Sequence, residues 1–474
     1  MKNWSILLYM WLMWSCVASV SAREFPRHRK YSLCAVSLEE MKGHIVVPVI
    51  FVHFEQKNND NENAISAENQ EAWMKRLNES CAANHMGDRG SVSDYFEAQS
   101  YGETHVSFER VGEYTASGKA ADYVATQRSA QLVRQAVISL KETDWKRYDR
   151  NGDQEVDCVL LIFAGHSDGD LTQSKLEVKS IYPHHSWLSK SQGSKATVEG
   201  GLKVDNYVFG QDLRDLSAHV GAINTLCHEL SHGIFDLCDY YFDLKSHLGQ
   251  WDVMCYGFRQ TNYSSADNHC CDMTAFNRMY LGWLTPTELT ENGHYTLRPL
   301  SQHAEAYAIS DPADEDHFFL LENRQRLSKT WDYHLPASGL ILTEIRFNRS
   351  SFEGHAVNRG SLPHIQVIDA ATGKGLCIPN ETYLNVSQKT VPYGIDGYTE
   401  ITETVSPLFA TQRITNIQRE SDGSMSFDYE CIADALTPTR VASNDESCYD
   451  LQGRKVQTPT RGGLYIYKNR IIKK

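Results

Sequence analysis

Two uninterrupted apolar runs restrict the fold more than any other feature of this sequence. His44 to Val52 reads HIVVPVIFV and Val156 to Gly165 reads VDCVLLIFAG. Runs with no polar alternation predict strands covered on both faces. Between them, residues 120–142 place Val124, Leu132, Val133, Ala136, Val137 and Leu140 largely at the spacing of one helix face. Strand, helix, strand in that order predicts an α/β layer, a mixed α+β unit over residues 45–290. From about residue 291 the texture changes to short alternating runs (HYTLRPL, AYAI, HFFLLE, GLILTEI) broken by turn-formers, which predicts an all-β, sandwich-like unit to residue 432. Residues 433–474 carry a further strand pair and predict a small β tail. A chain of 474 residues has length for roughly three such units. Its 46 basic and 60 acidic residues leave a net charge of -14, which repels phosphate backbones and excludes nucleic acid as the expected partner.

The first 22 residues join a charged Lys2 to an apolar run and end on Val20-Ser21-Ala22, small residues at a cleavage position. This predicts a secretory signal peptide, with residues 23–44 as a short pro-segment or linker. Its apolar run falls short of the ~20 residues a membrane span needs, so the mature chain is expected to be secreted or on the cell surface with no transmembrane segment. Removing Cys16 with the signal takes the 12 cysteines to 11, an odd number that leaves at least one thiol unpaired within the chain.

Residues 221–232, GAINTLCHELSH, place His228, Glu229 and His232 in an HExxH pattern after an apolar lead-in. On a helix, residues four apart share a face, so both imidazoles can reach one Zn²⁺ while Glu229 faces its water. Zinc lowers the pKa of bound water toward about 7 and a nearby carboxylate takes the proton, which is the chemistry of metal-assisted hydrolysis. A catalytic zinc needs a third ligand, and Asp236, Asp239 and Asp243 follow. Were the helix to continue, Asp236 would sit about 12 Å along it from His228, too far for one ion. The chain is therefore expected to turn after His232, with Gly233 as the weak point and Asp239 swinging back to the metal; Asp236 serves instead if the helix breaks early. Downstream, GQWDVMCYG supplies Met254 and, two residues on, Tyr256, the spacing of a methionine turn under a zinc with a tyrosine that stabilises an oxyanion.

With HELSH, the Asp239–Tyr241 DYY, GQWDVMCYG and AFNRMYLGWLTPTEL at 275–289, the chain resembles the immune inhibitor A family of secreted bacterial zinc metalloproteases. The likeness extends to VPVIFVHF, SVSDYFEAQSYGE, YDRNGDQEVDCVLLIFAG and HFFLLENRQ, and so spans most of residues 45–345. It implies a metzincin-like catalytic domain that hydrolyses peptide bonds of protein or peptide substrates, with His228 and His232 as ligands and Glu229 as general base. The family usually continues HExxHxxGLPD, whereas this chain reads HGIFDLCDYY from His232. Alignment then requires one inserted residue, puts Asp236 at the glycine position and makes Asp239 the ligand. A metal-free relative acting as a surface binding protein is the competing expectation, and a thermolysin-like hydrolase with a distant glutamate ligand is disfavoured by the Met254–Tyr256 spacing.

Asp149, Asn151, Asp153, Glu155 and Asp157 alternate around Gly152 as a Ca²⁺ loop would, although Gln154 and Leu160 replace the glycine and glutamate of an EF-hand. Cys227, Cys238 and Cys255 neighbour the proposed site, but with no CxxC they read as disulfide partners or buried small residues. Adjacent Cys270 and Cys271 are expected to partner other cysteines, and Cys34 could cap the zinc of a latent precursor. The tail, SCYDLQGRKVQTPTRGGLYIYKNRIIKK, resembles the sorting or surface-attachment tails of exported Bacteroidota proteins, which implies secretion or attachment machinery as a partner.

Overall fold

The computed structural model describes residues 41–58, 61–79, 90–168, 179–213, 223–242, 245–257, 270–379 and 391–432, with short stretches of the tail at 448–449, 455–456, 464–467 and 470–473. The signal segment, Cys34 and Asp243 lie outside these residues. The chain is a mixed α/β protein with several sheets and few helices. In order come β1 (Gly43–Phe54), α1 (Ala67–Asn78), α2 (Val92–Gln99), β2 (Thr104–Ala116), α3 (Thr126–Ser139), β3 (Val159–Phe163), β4 (His184–Trp187), β5 (Asn206–Gln211) and α4 (Ile223–Phe235). The five strands form one sheet in the order β2-β1-β3-β5-β4, parallel except for β4, which closes one edge antiparallel to β5. Every residue of β3 is buried, as are Val49 to Val52 of β1, so the unbroken apolar runs follow from helices covering both faces. Helix α3 buries Leu132, Val133, Ala136 and Val137, but it begins at Thr126 and leaves Val124 exposed before it.

All of α4 except Thr225 and Glu229 is buried, the pattern of a helix enclosed on every side. Its C-terminal end is pinned by Phe235, whose ring lies 5.2 Å from Phe96 and 5.1 Å edge-on from Trp283. Burial of such a ring contributes about 1.5–3 kcal/mol. Gly233 sits inside the helix, and its role is close packing: a Cβ there would come within 2.8 Å of Cys158 Sγ and Val208 Cγ2 on the sheet. The expected turn at Gly233 is therefore displaced. The helix continues to Phe235 and ends where Asp236 adopts a left-handed φ of 54° and donates its N–H to the His232 carbonyl.

Further on lie α5 (Ala275–Tyr280), β6 (Gly293–Leu297), β7 (Tyr307–Asp311), β8 (Asp314–Arg324), β9 (Gly339–Arg346), α6 (Arg349–Glu353), β10 (Ile365–Asp369), β11 (Gln412–Arg419) and β12 (Met425–Cys431). Strands β7 to β10 form a sheet in sequence order, edged by Thr287–Glu288 and Lys374–Gly375, and a second sheet runs β6-β12-β11. Period-two alternation divides the first sheet between two cores. Phe319, Leu321, Leu340 and Leu342 pack with Leu297, Ile414, Met425 and Phe427 of the second sheet. Phe318, Leu320, Ile341, Ile345 and Val367 point the other way into the core that contains α4 and β1. Residue 290 thus marks a change of architecture but not a gap in packing, because one face of this sheet is a wall of the first unit. In the tail, Cys448–Tyr449, Lys455–Val456, Leu464–Tyr467 and Arg470–Lys473 pair as a four-stranded antiparallel sheet, more than the strand pair expected. No helix among the described residues is long and apolar enough to cross a membrane.

Candidate metal centre

Helix α4 brings His228 and His232 onto one buried face with their Nε2 atoms 3.3 Å apart. The other ring nitrogen of each is committed to the backbone: His228 Nδ1 lies 2.8 Å from the Val253 carbonyl, and His232 Nδ1 bonds the Leu237 carbonyl. A carbonyl only accepts, so both Nδ1 atoms carry a proton, and the two Nε2 atoms are the ones left to face a metal once they are unprotonated. Asp239 Oδ1 stands 3.2 Å from one Nε2 and 3.3 Å from the other. Its side chain is 43% exposed, yet Oδ1 itself is buried and turned to the two imidazoles. One oxygen faces the imidazoles while the rest of the carboxylate faces solvent.

Three lone-pair donors thus form a nearly equilateral triangle. Donors at about 2.0–2.1 Å from a tetrahedral zinc stand about 3.3–3.4 Å apart, so the triangle has the dimensions of three corners of such a site. The electrostatics point the same way. Burial alone disfavours a charged His232, but the Asp239 carboxylate outweighs it and raises the imidazole to about 9. Burial opposes ionisation of Asp239 as well, and the two imidazoles hold it far below the usual carboxylate range. The carboxylate and the imidazoles thus favour a cation, a proton or a metal ion, between them.

Glu229 completes a His-Glu-His cluster whose ligand atoms lie within 4.8 Å of one another, enough to bind a metal ion. Edge strand β4 aims it: the His185 N–H donates to Glu229 Oε2 at 2.8 Å. His185 is fixed in turn by Asn206, whose Nδ2 donates to the Asp157 and Gly233 carbonyls, so that its Oδ1 receives the His185 Nε2–H at 2.8 Å. Burial first, then the neighbouring His232, keeps His185 well below its ordinary pKa and therefore neutral.

Met254 is wholly buried in the turn beneath this helix. Asp252 holds the turn, accepting the Met254 and Thr274 N–H groups at 2.7 Å each and the Asn277 amide at both oxygens. Gly257 ends it where no side chain fits, since a Cβ would lie 2.2 Å from Cys271 Sγ. The Tyr240 N–H donates to the Met254 carbonyl at 2.9 Å, joining the turn to the loop that carries Asp239. Tyr256 is buried and stacks at 5.3 Å on Tyr241, which stacks at 6.2 Å on His228. Tyr241, quoted in the sequence only as part of DYY, is thus a ring that lies between Tyr256 and His228.

Asp236 lies apart from the imidazole Nε2 pair and receives a 2.9 Å hydrogen bond from His355. In the acidic loop, Asp149, Asn151 and Asp153 oxygens accept the Asp153, Gln154 and Glu155 N–H groups, and Lys195 bonds Glu155. Asp157 is pushed up to about 7 by burial, opposed by Arg150 and reinforced by Asp153 and Asp149. Cys158, Cys227, Cys238, Cys255, Cys270 and Cys271 are all buried free thiols, with Cys270 hydrogen-bonded to Cys227. Residue patterns could not disclose Val253 and Leu237, which act through carbonyls; Asn206 and His355 stand far from HExxH in the chain.

The sequence matches no protein-family model and no curated protein significantly. The family resemblance rests on the motifs themselves.

Proposed function

We propose that this chain is a secreted zinc endopeptidase of metzincin-like architecture, related to the immune inhibitor A proteases. The observation that carries the reading is the buried triangle of His228 Nε2, His232 Nε2 and Asp239 Oδ1, with sides of 3.2–3.3 Å. The residue inserted between His232 and Asp239 does not separate the carboxylate from the imidazoles, which favours the enzyme over a metal-free binding protein. Zinc in that triangle would supply Lewis acidity toward a scissile carbonyl and its attacking water. Glu229, one oxygen held by the His185 N–H, would use its carboxylate as the general base toward that water and as the acid toward the leaving amine. Tyr256, behind Tyr241, would back the oxyanion side. Edge strand β4 runs beside Glu229 and offers an extended peptide a backbone edge, which supports a polypeptide substrate. Calcium in the 149–157 loop would offset the burial, and behind it the Asp153 and Asp149 charges, that raise Asp157. The signal segment and tail would direct export and attachment.

Metal analysis of the purified mature chain, beside cleavage of casein or a quenched peptide, tests the reading. Stoichiometric zinc and cleavage lost in Glu229→Ala are expected. Zinc absent under supply, or equal cleavage by wild type and Glu229→Ala, would overturn it.

A further inference from the structure

The loop from Asp236 to Tyr240 has two faces. Leu237 and Asp239 point toward the imidazoles, one through its carbonyl to His232 Nδ1 and the other through Oδ1 to both Nε2 atoms. The Asp236 and Cys238 side chains and the Tyr240 carbonyl instead meet residues 352–358, in and just after α6. Cys238 Sγ donates to the Phe352 carbonyl at 2.9 Å, His355 Nε2 donates to Asp236 Oδ1 at 2.9 Å, and Asn358 Nδ2 donates to the Tyr240 carbonyl at 2.9 Å. Two different surfaces therefore grip this loop. The grip comes from a part of the chain more than 110 positions away, within the β-rich region.

Asp236 is where the grip is needed. It occupies the left-handed position that ends α4, with φ 54° and 4% exposure, a conformation glycine adopts freely and an aspartate does not. A buried carboxylate there needs a donor, and among the described residues His355 supplies it. The His355 ring is wedged between Trp187 of the edge strand, at 5.4 Å, and His232, at 6.5 Å, so its place is fixed by packing.

We propose that residues 352–358 are a template for the metal-binding loop and that His355 is its positioning residue, holding Asp236 so that Asp239 faces the two imidazoles. The proposal rests on the reading of His228, His232 and Asp239 as metal ligands. It makes metal affinity, and not turnover alone, a property of the β-rich region.

Titration of the metal-stripped full-length protein with Co²⁺, followed by visible absorption against a competing chelator, tests it. His355→Ala is expected to weaken Co²⁺ binding by about 10–100-fold, the usual effect of losing an outer-shell partner. His355→Gln, whose amide can donate at the same place, is expected to retain most of the affinity. Asp236→Gly needs no donor, so adding His355→Ala to it is expected to cost little. Unchanged Co²⁺ affinity in His355→Ala would overturn the proposal, as would an equal loss with and without Asp236→Gly, which would mean that His355 acts elsewhere. Should His355→Ala fail to fold, the double variant decides, and failure of that chain to bind Co²⁺ would also overturn it. Wild type that binds no Co²⁺ through His228 would instead refute the metal reading underneath.

Discussion

Arg324 offers the sharpest test of how the β-rich sheet supports the site. Its guanidinium has no exposed surface and uses all five N–H donors: to Asp332 Oδ2 at 2.6 Å and Oδ1 at 2.7 Å, Glu322 Oε1 at 2.9 Å, the Trp251 carbonyl at 2.8 Å and the Asp272 carbonyl at 3.2 Å. Asp332→Ala removes two of the five and deprives the Asp272 N–H of its acceptor. Breaking a buried pair from one side costs about 3–5 kcal/mol, and the remaining Glu322 argues for the lower half of that range. With about 2.1 cal/mol/K per residue over roughly 390 residues melting together, that corresponds to a Tm lower by about 4–5 °C. The shared core justifies treating the two regions as one unit. Asp332→Asn keeps one acceptor and is expected to lose about half as much. Because Arg324 also holds Trp251, two residues before the Val253 carbonyl that orients His228, Asp332→Ala is expected to weaken Co²⁺ binding by about tenfold. Differential scanning calorimetry and the same Co²⁺ titration read both effects. A Tm shift under about 1 °C would refute the satisfaction argument, and a large shift with unchanged metal affinity would refute transmission through Trp251.

Glu229→Ala is expected to lower kcat by about 10²–10⁴-fold while zinc content stays at wild-type level, checked by single-turnover cleavage and metal analysis. Asp239→Ala removes a corner of the triangle and is expected to weaken Co²⁺ binding by more than the about 10–100-fold of an outer-shell change. A chain cut after residue 290 would expose Phe318's packing partners and the rest of that wall, and is expected to be insoluble by sedimentation where the chain to 432 is soluble. Burial raises Asp212 to about 6 against the hydrogen bonds from Asn69 and Trp73. The folded chain then holds that proton more tightly than the unfolded chain, so the stability it contributes is complete below about pH 4 and is lost as pH rises toward about 6. Asp212→Asn cannot ionise and is expected to gain on wild type across that window in urea midpoints, whereas parallel pH profiles would reject the assignment.

What the sequence disclosed depended on periodicity and on side-chain chemistry. Unbroken apolar runs led to β1 and β3, and the four-residue spacing put His228 and His232 on one face. The position of Asp239 followed from excluding an 8-residue helical reach. The turn at Asp236 was misplaced to Gly233 because glycine signals both freedom and close approach, and only the contact with Cys158 and Val208 distinguishes them. The partition of β7 to β10 between two cores was hidden for a different reason: alternation predicts two faces without saying that both are dry. His355, Asn206 and the two carbonyls that set the imidazole tautomers have no sequence signature, since their roles arise when distant segments meet.

The two-faced strand β8 and the metal-binding loop respond oppositely to a change in chain length. The loop leaves α4 through a left-handed turn at Asp236 and pairs in no strand before Tyr241, so an added residue there changes no register. In β8 a single insertion between His317 and Phe318 would exchange the faces of everything after it, sending Glu322 and Arg324 into the apolar core of Met425 and Phe427 and turning Phe319 and Leu321 toward Trp251. Length variation among relatives should therefore collect in the loop and be absent from the strand.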